Sequence, residues 1–212
     1  MFCVRVECDN IEFSMFNFFK KKEKSLPDMW RMFTGKGASE EVLIEKAKLF
    51  AAVLLDWLKE SVNDLVGRAS KDNQKAEGVY GQVFFELVLF SLHYTDRIAS
   101  EFLSENGRKT FMDALATETQ EMLLQAQPDE EARKMTSLLF ITRYDERQKE
   151  YSNYKFSGEK EGGLNGTLFW EFEKKVSTLL GFEEDIVTMM DIHGHICVLL
   201  KYLQIPELIT KI

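Results

Sequence analysis

The chain is poor in the residues that turn a backbone: 3 prolines and 12 glycines in 212 residues. A sandwich or barrel needs turn residues every few positions, so this scarcity argues against both. It suits long helices joined by short loops. Cysteines are few and odd in number: Cys3, Cys8 and Cys197. They show no repeated Cys-x-x-Cys spacing, which argues against a disulfide framework and a zinc finger and makes a reducing, cytoplasmic setting the expectation. A basic excess is missing too. Lys and Arg number 27 against 35 Asp and Glu, a net charge of −8. A nucleic-acid surface needs a basic stripe to displace counterions from phosphates, so no nucleic-acid partner is expected. The longest apolar run, Leu49 to Leu58, contains Asp56 and is about half of what a membrane span needs. The N-terminus has no basic region leading into an apolar stretch, so no secretory signal is read.

Chemical motifs are equally sparse. The sequence contains no phosphate-cradling glycine loop, Gly-x-Ser-x-Gly elbow, His-Glu-x-x-His helix or EF-hand loop. The paired Glu-x-x-His segments of di-iron bundles are missing as well. These absences lower the expectation of an enzyme.

What is present is apolar bulk. Hydrophobic residues make up 45% and aromatics 12%, enough to fill a core and too much for a disordered chain. Phe dominates, with 17 copies against 6 Tyr and 3 Trp. Phe brings large apolar area without a polar tip that needs a partner. The patterning predicts an all-α, single-domain bundle of five to six helices spanning 39–212, preceded by an N-terminal extension and loop over 1–38. Residues 1–14 alternate like a strand (Phe2, Val4, Val6, Cys8) without an evident partner, and read as a mis-called start before Met15. Phe16, Phe18 and Phe19, followed by Lys20, Lys21, Lys22 and Lys24, offer weak contact with an anionic membrane surface; a tail packed on the bundle is the plainer reading.

Two helices are expected at the centre. The first runs from the cap Ser39 to about Arg68 and is apolar on every side near Leu49–Leu58. The second covers about Gly78 to Ser104, after a polar loop at 69–77, and stops at Asn106 and Gly107. A third is read over Lys109–Ala126 and a fourth from Pro128, placed in its first turn, to about Tyr154. A fifth, capped by Asn165, ends at Gly181. A sixth opens at Glu183–Asp185 and runs to about Gln204.

Four places could carry chemistry or contact. Glu86 and His93 lie seven residues apart on one line of the second helix, with Arg97 close to that line. A buried carboxylate needs a partner. The expected reading is a polar network in which Arg97, Arg143 or Arg147 pairs Asp56, Glu86 or Glu146. The alternative is a divalent metal or small-ligand pocket built from Glu86, His93, Asp56 and Asp96. In Asp191-Ile-His193-Gly-His195, Asp191 and His195 form an i,i+4 pair and a weak metal candidate. The plainer reading makes them a surface ion pair and puts His193 at the core edge. Trp170 falls opposite the apolar face of its helix and is the candidate partner anchor. Cys197 reads as an inert core thiol with no basic group to activate it. The functional expectation is therefore a non-enzymatic bundle working through protein–protein contact or self-association, as an adaptor, subunit or accessory factor. The alternative is the metal or ligand site at Glu86 and His93.

Overall fold

A computed structural model describes residues 39–69, 73–156, 165–183 and 185–203. These residues form α1 (Glu40–Ala69), α2 (Asn73–Phe102), α3 (Glu105–Gln125), α4 (Glu130–Tyr151), α5 (Leu168–Leu179) and α6 (Ile186–Leu203). No strand occurs among them; one isolated bridge joins Lys155 to Thr167. The all-α bundle expected from the sequence is what the chain forms. No described helix is long and apolar enough to cross a membrane. Residues 1–14 and the Phe16–Lys24 segment lie outside the described residues.

The two central helices are those the hydropathy marked. On α1, Phe50, Leu54 and Leu58 repeat at i,i+4 and are fully buried. Each such side chain contributes roughly 1.5–3 kcal/mol of transfer free energy. Asp56, the one charge in that run, is exposed, so the apolar stretch meets solvent there. On α2, every residue from Glu86 to His93 is buried, which requires neighbours on all sides. They are present: α1 packs on α3, α2 and α6, while α2 also packs on α4, α3 and α5. The buried side chains of all six helices form one contiguous cluster.

Helix ends differ from the sequence reading in instructive ways. The α2 helix begins at Asn73, inside the stretch read as a loop. Gln, Lys, Ala and Glu at 74–77 are good helix formers, and polarity alone does not break a helix. Asn106 and Gly107, read as stop signals, instead sit in the first turn of α3, because the Ser104 hydroxyl accepts the Gly107 N–H and caps that helix. Pro128 precedes α4 rather than lying in its first turn. Asp129 is the cap, its carboxylate accepting the Ala132 N–H at 2.8 Å. Thr167, not Asn165, caps α5. That helix ends in a Schellman motif: Phe182 N–H donates to Ser177 O, Gly181 N–H donates to Thr178 O, and Gly181 has φ of 85°. Asp185 accepts both the N–H and the hydroxyl of Thr188 and so opens α6.

Candidate functional site

The seam between α2 and α4 gathers the polar residues that the sequence singled out. Glu86 is buried and faces Arg147. Nε and Nη2 of the guanidinium donate to the two carboxylate oxygens at 2.6 and 3.0 Å. This planar, bidentate pairing is the strong form of the interaction. The Tyr151 hydroxyl also donates to Glu86 Oε1. Burial, then the Glu86 charge, push that phenol far above its ordinary range, so it stays a donor. Arg147 extends the chain of charges: its Nη1 donates to Glu150 at 2.8 Å, and Glu150 accepts Lys175 Nζ at 2.6 Å. Two carboxylates and two cations thus alternate across α2, α4 and α5. The Glu86–Arg147 pair is one that the network reading named. Arg143 and Glu146 do pair, but with each other on the exposed side of α4.

Two turns along α2, His93 is buried against α4. Arg97 Nε donates to His93 Nε2 at 2.9 Å, so that nitrogen is the acceptor. Nδ1 therefore carries the hydrogen and donates to Gln148 Oε1 at 2.7 Å. Burial pushes the imidazole below its ordinary range; the Gln148 hydrogen bond resists this and the Arg97 charge adds to it. The ring is neutral at neutral pH. Arg97 Nη2 donates to the carbonyls of Tyr151 and Tyr154, both at 2.7 Å. Tyr151 is the last residue of α4, where a helix leaves acceptors unsatisfied and favours a cation, and Tyr154 follows in the turn beyond it.

For the metal alternative, the geometry separates the residues. Asp96 is held bidentately by Arg108 of α3, and Asp56 is on the exposed side of α1. Glu86 and His93 share the seam, but Arg147, Tyr151, Arg97 and Gln148 already engage their ligating atoms. No group of three or more His, Cys, Asp and Glu side chains suited to a metal ion occurs among the described residues.

The Asp191–His195 segment also departs from expectation. Asp191 is exposed, whereas His195 is buried and its Nδ1 bonds the Asp191 backbone carbonyl at 2.9 Å. The expected surface ion pair is not formed, because α6 has two covered faces. It packs on both α5 and α1, and His195 falls among Ile192, Ile196 and Leu199 on a buried side. His193 is half-buried at the core edge, as the spacing implied. Trp170 is half-buried on α5.

A second polar seam, between α5 and α6, was not foreseen. His193 Nδ1 contacts Glu173 Oε1 at 2.5 Å, and its Nε2 lies 3.4 Å from Cys197 Sγ. Cys197 does therefore have a basic neighbour, which corrects its reading as a thiol without one. The sulfur and the carboxylate together hold the imidazolium, pushing His193 up to about 10. Burial pushes the Glu173 carboxyl upward, and His193 opposes that shift. At neutral pH the ring is therefore an imidazolium held against that buried carboxyl group. Two signals could have found it: His193 and Cys197 are an i,i+4 pair on one helix, and Glu173 follows Phe169 by four residues on the covered side of α5.

Compared with protein families, curated proteins and solved structures, the chain matches none. The geometry of its own residues is therefore what bears on function.

Proposed function

We propose that this protein works through protein–protein contact, and that the outer face of α4 is its contact surface. The observation that carries this is a run of exposed large apolar side chains: Met135 (64% exposed), Leu138 (63%), Leu139 (47%) and Ile141 (52%). They lie within two turns of one helix, whose opposite side is fastened by Phe140, Arg147 and Tyr151. Isolated apolar residues on a surface are ordinary; a contiguous stripe marks an interaction site.

The occupant whose chemistry fits is a second copy of the chain. An antiparallel pairing of two α4 helices about a twofold axis level with Phe140 sets Leu139 against Ile141 and Leu138 against Thr142. The same register sets Lys134 against Glu146 and Glu131 against Lys149, all of them exposed. Both charge contacts are attractive, and twofold symmetry makes each occur twice. A single-helix seam belongs at the weak, reversible end of interfaces.

Sedimentation equilibrium of the full-length chain tests this. The expected result is a reversible dimer that Leu138→Asp with Ile141→Asp converts to monomer, helicity unchanged. Lys134→Glu weakens the dimer, and adding Glu146→Lys restores it. A chain that stays monomeric at high concentration rules out the second copy; a dimer indifferent to these substitutions rules out α4.

A further inference from the structure

The α5–α6 seam has the parts of an activated nucleophile. A cysteine sulfur faces the His193 imidazolium, and a buried carboxyl group orients that ring from its other nitrogen. The distances are 3.4 Å from Cys197 Sγ to His193 Nε2 and 2.5 Å from His193 Nδ1 to Glu173 Oε1. The Glu173 side chain is 5% exposed while that of His193 is 36% exposed. The orienting group is therefore fixed in the core, and the imidazolium reaches solvent. Cys197 itself is half-buried. The ring of Phe169 stands edge-on to His193 at 6.1 Å between centroids and walls one side. Cys197 and His193 both keep part of their surface in contact with solvent.

We propose that Cys197 is a modification site, a nucleophilic thiol served by His193 and oriented through Glu173, which reduces small hydroperoxides and is left as a sulfenic acid. Sulfur attacks the distal oxygen of the hydroperoxide, an S–O bond forms and the O–O bond breaks. The hydrogen shared between Sγ and Nε2 leaves with the departing oxygen, so thiol plus hydroperoxide gives sulfenic acid plus alcohol, or water from hydrogen peroxide. Sulfur loses two electrons and the peroxide gains them. His193 and Glu173 are positioning residues. They favour placing that hydrogen on nitrogen, and Glu173 selects the ring orientation that presents Nε2 to the sulfur. No second cysteine is found among the described residues, so the sulfenic acid has no described thiol to condense with.

The test uses the full-length chain, limiting hydrogen peroxide, a sulfenic-acid trap and peptide mapping that reads Cys197 apart from Cys3 and Cys8. Cys197 is expected to be trapped about tenfold faster in the native chain than in the chain unfolded in urea, where His193 no longer lies beside the sulfur. Glu173→Gln keeps an acceptor for Nδ1–H and removes the charge. It is expected to bring the native rate down to the unfolded rate at unchanged helicity. The thiolate ultraviolet absorbance that separates the parent chain from Cys197→Ser should fade with it, a signature that a purely structural role would not move. A native rate at or below the unfolded rate overturns the proposal, as does a Glu173→Gln chain with both rate and absorbance unchanged. If Glu173→Gln does not fold, the native-to-unfolded ratio of the parent chain decides alone.

Discussion

Replacing Arg147 by Met should destabilise the protein more than any surface substitution. The Arg147 side chain is 16% exposed and that of Glu86 8% exposed, so water screens the pair little. Without Arg147, Glu86 keeps only the Tyr151 hydroxyl among the described residues. Its charge must then stay uncompensated in the core or take up a proton. Removing one member of a buried pair costs about 3–5 kcal/mol. The retained Tyr151 hydrogen bond and the added apolar contact of Met place the expected loss near the lower end, about 3 kcal/mol. That is a large share of the roughly 5–15 kcal/mol that holds a domain together. The reasoning also predicts rescue. With Glu86→Leu and Tyr151→Phe added, no charge or hydroxyl is left without a partner at that point, and the triple variant should return to within about 1 kcal/mol of the parent, as apolar replacements of buried pairs commonly do. Urea denaturation followed by far-ultraviolet circular dichroism gives all the values. A loss below about 1 kcal/mol in Arg147→Met, or a triple variant as unstable as the single one, would refute the argument.

The two histidines that meet side-chain partners set opposite pH limits. His93 is held below its ordinary range, so between its folded value and the unfolded value near 6.5 the unfolded chain binds more protons. Its contribution is complete above about 6.5 and falls as the pH drops from there; His93→Gln should flatten the acid side of a melting-temperature profile. His193 is raised to about 10, so its contribution is complete below the unfolded value near 6.5 and is lost as the pH rises through about 10; the Cys197 contact is the larger cause of the rise, so Glu173→Gln should shrink that alkaline limb without abolishing it. At the end of α5, Gly181 has φ of 85° and open space where a Cβ would stand. Gly181→Ala should therefore cost about 1–2 kcal/mol through backbone strain alone, read as a lower denaturation midpoint.

Periodicity and composition decided the helical class and the two central helices. The run Leu49–Leu58 and the block from Val83 to Leu92 are too apolar on every side to lie at a surface, whatever the topology. The i,i+7 relation of Glu86 and His93 is likewise a property of α2 alone, so their common face was legible. Which residues face them was not. Arg147, Gln148 and Tyr151 are more than fifty positions away, and only the docking of α4 on α2 brings them in. The same limit explains the histidines of α6. A helical wheel knows one covered face, and His195 looked solvent-facing until α1 and α5 enclosed α6 from two sides. Glu173 and Cys197 acquired chemistry only when α5 and α6 packed together: the i,i+4 relation of His193 and Cys197 is local, but the carboxylate that orients the ring comes from another helix. Sequence sets which residues share a face because helix geometry is local; it does not set what that face meets, because packing is a property of the whole chain.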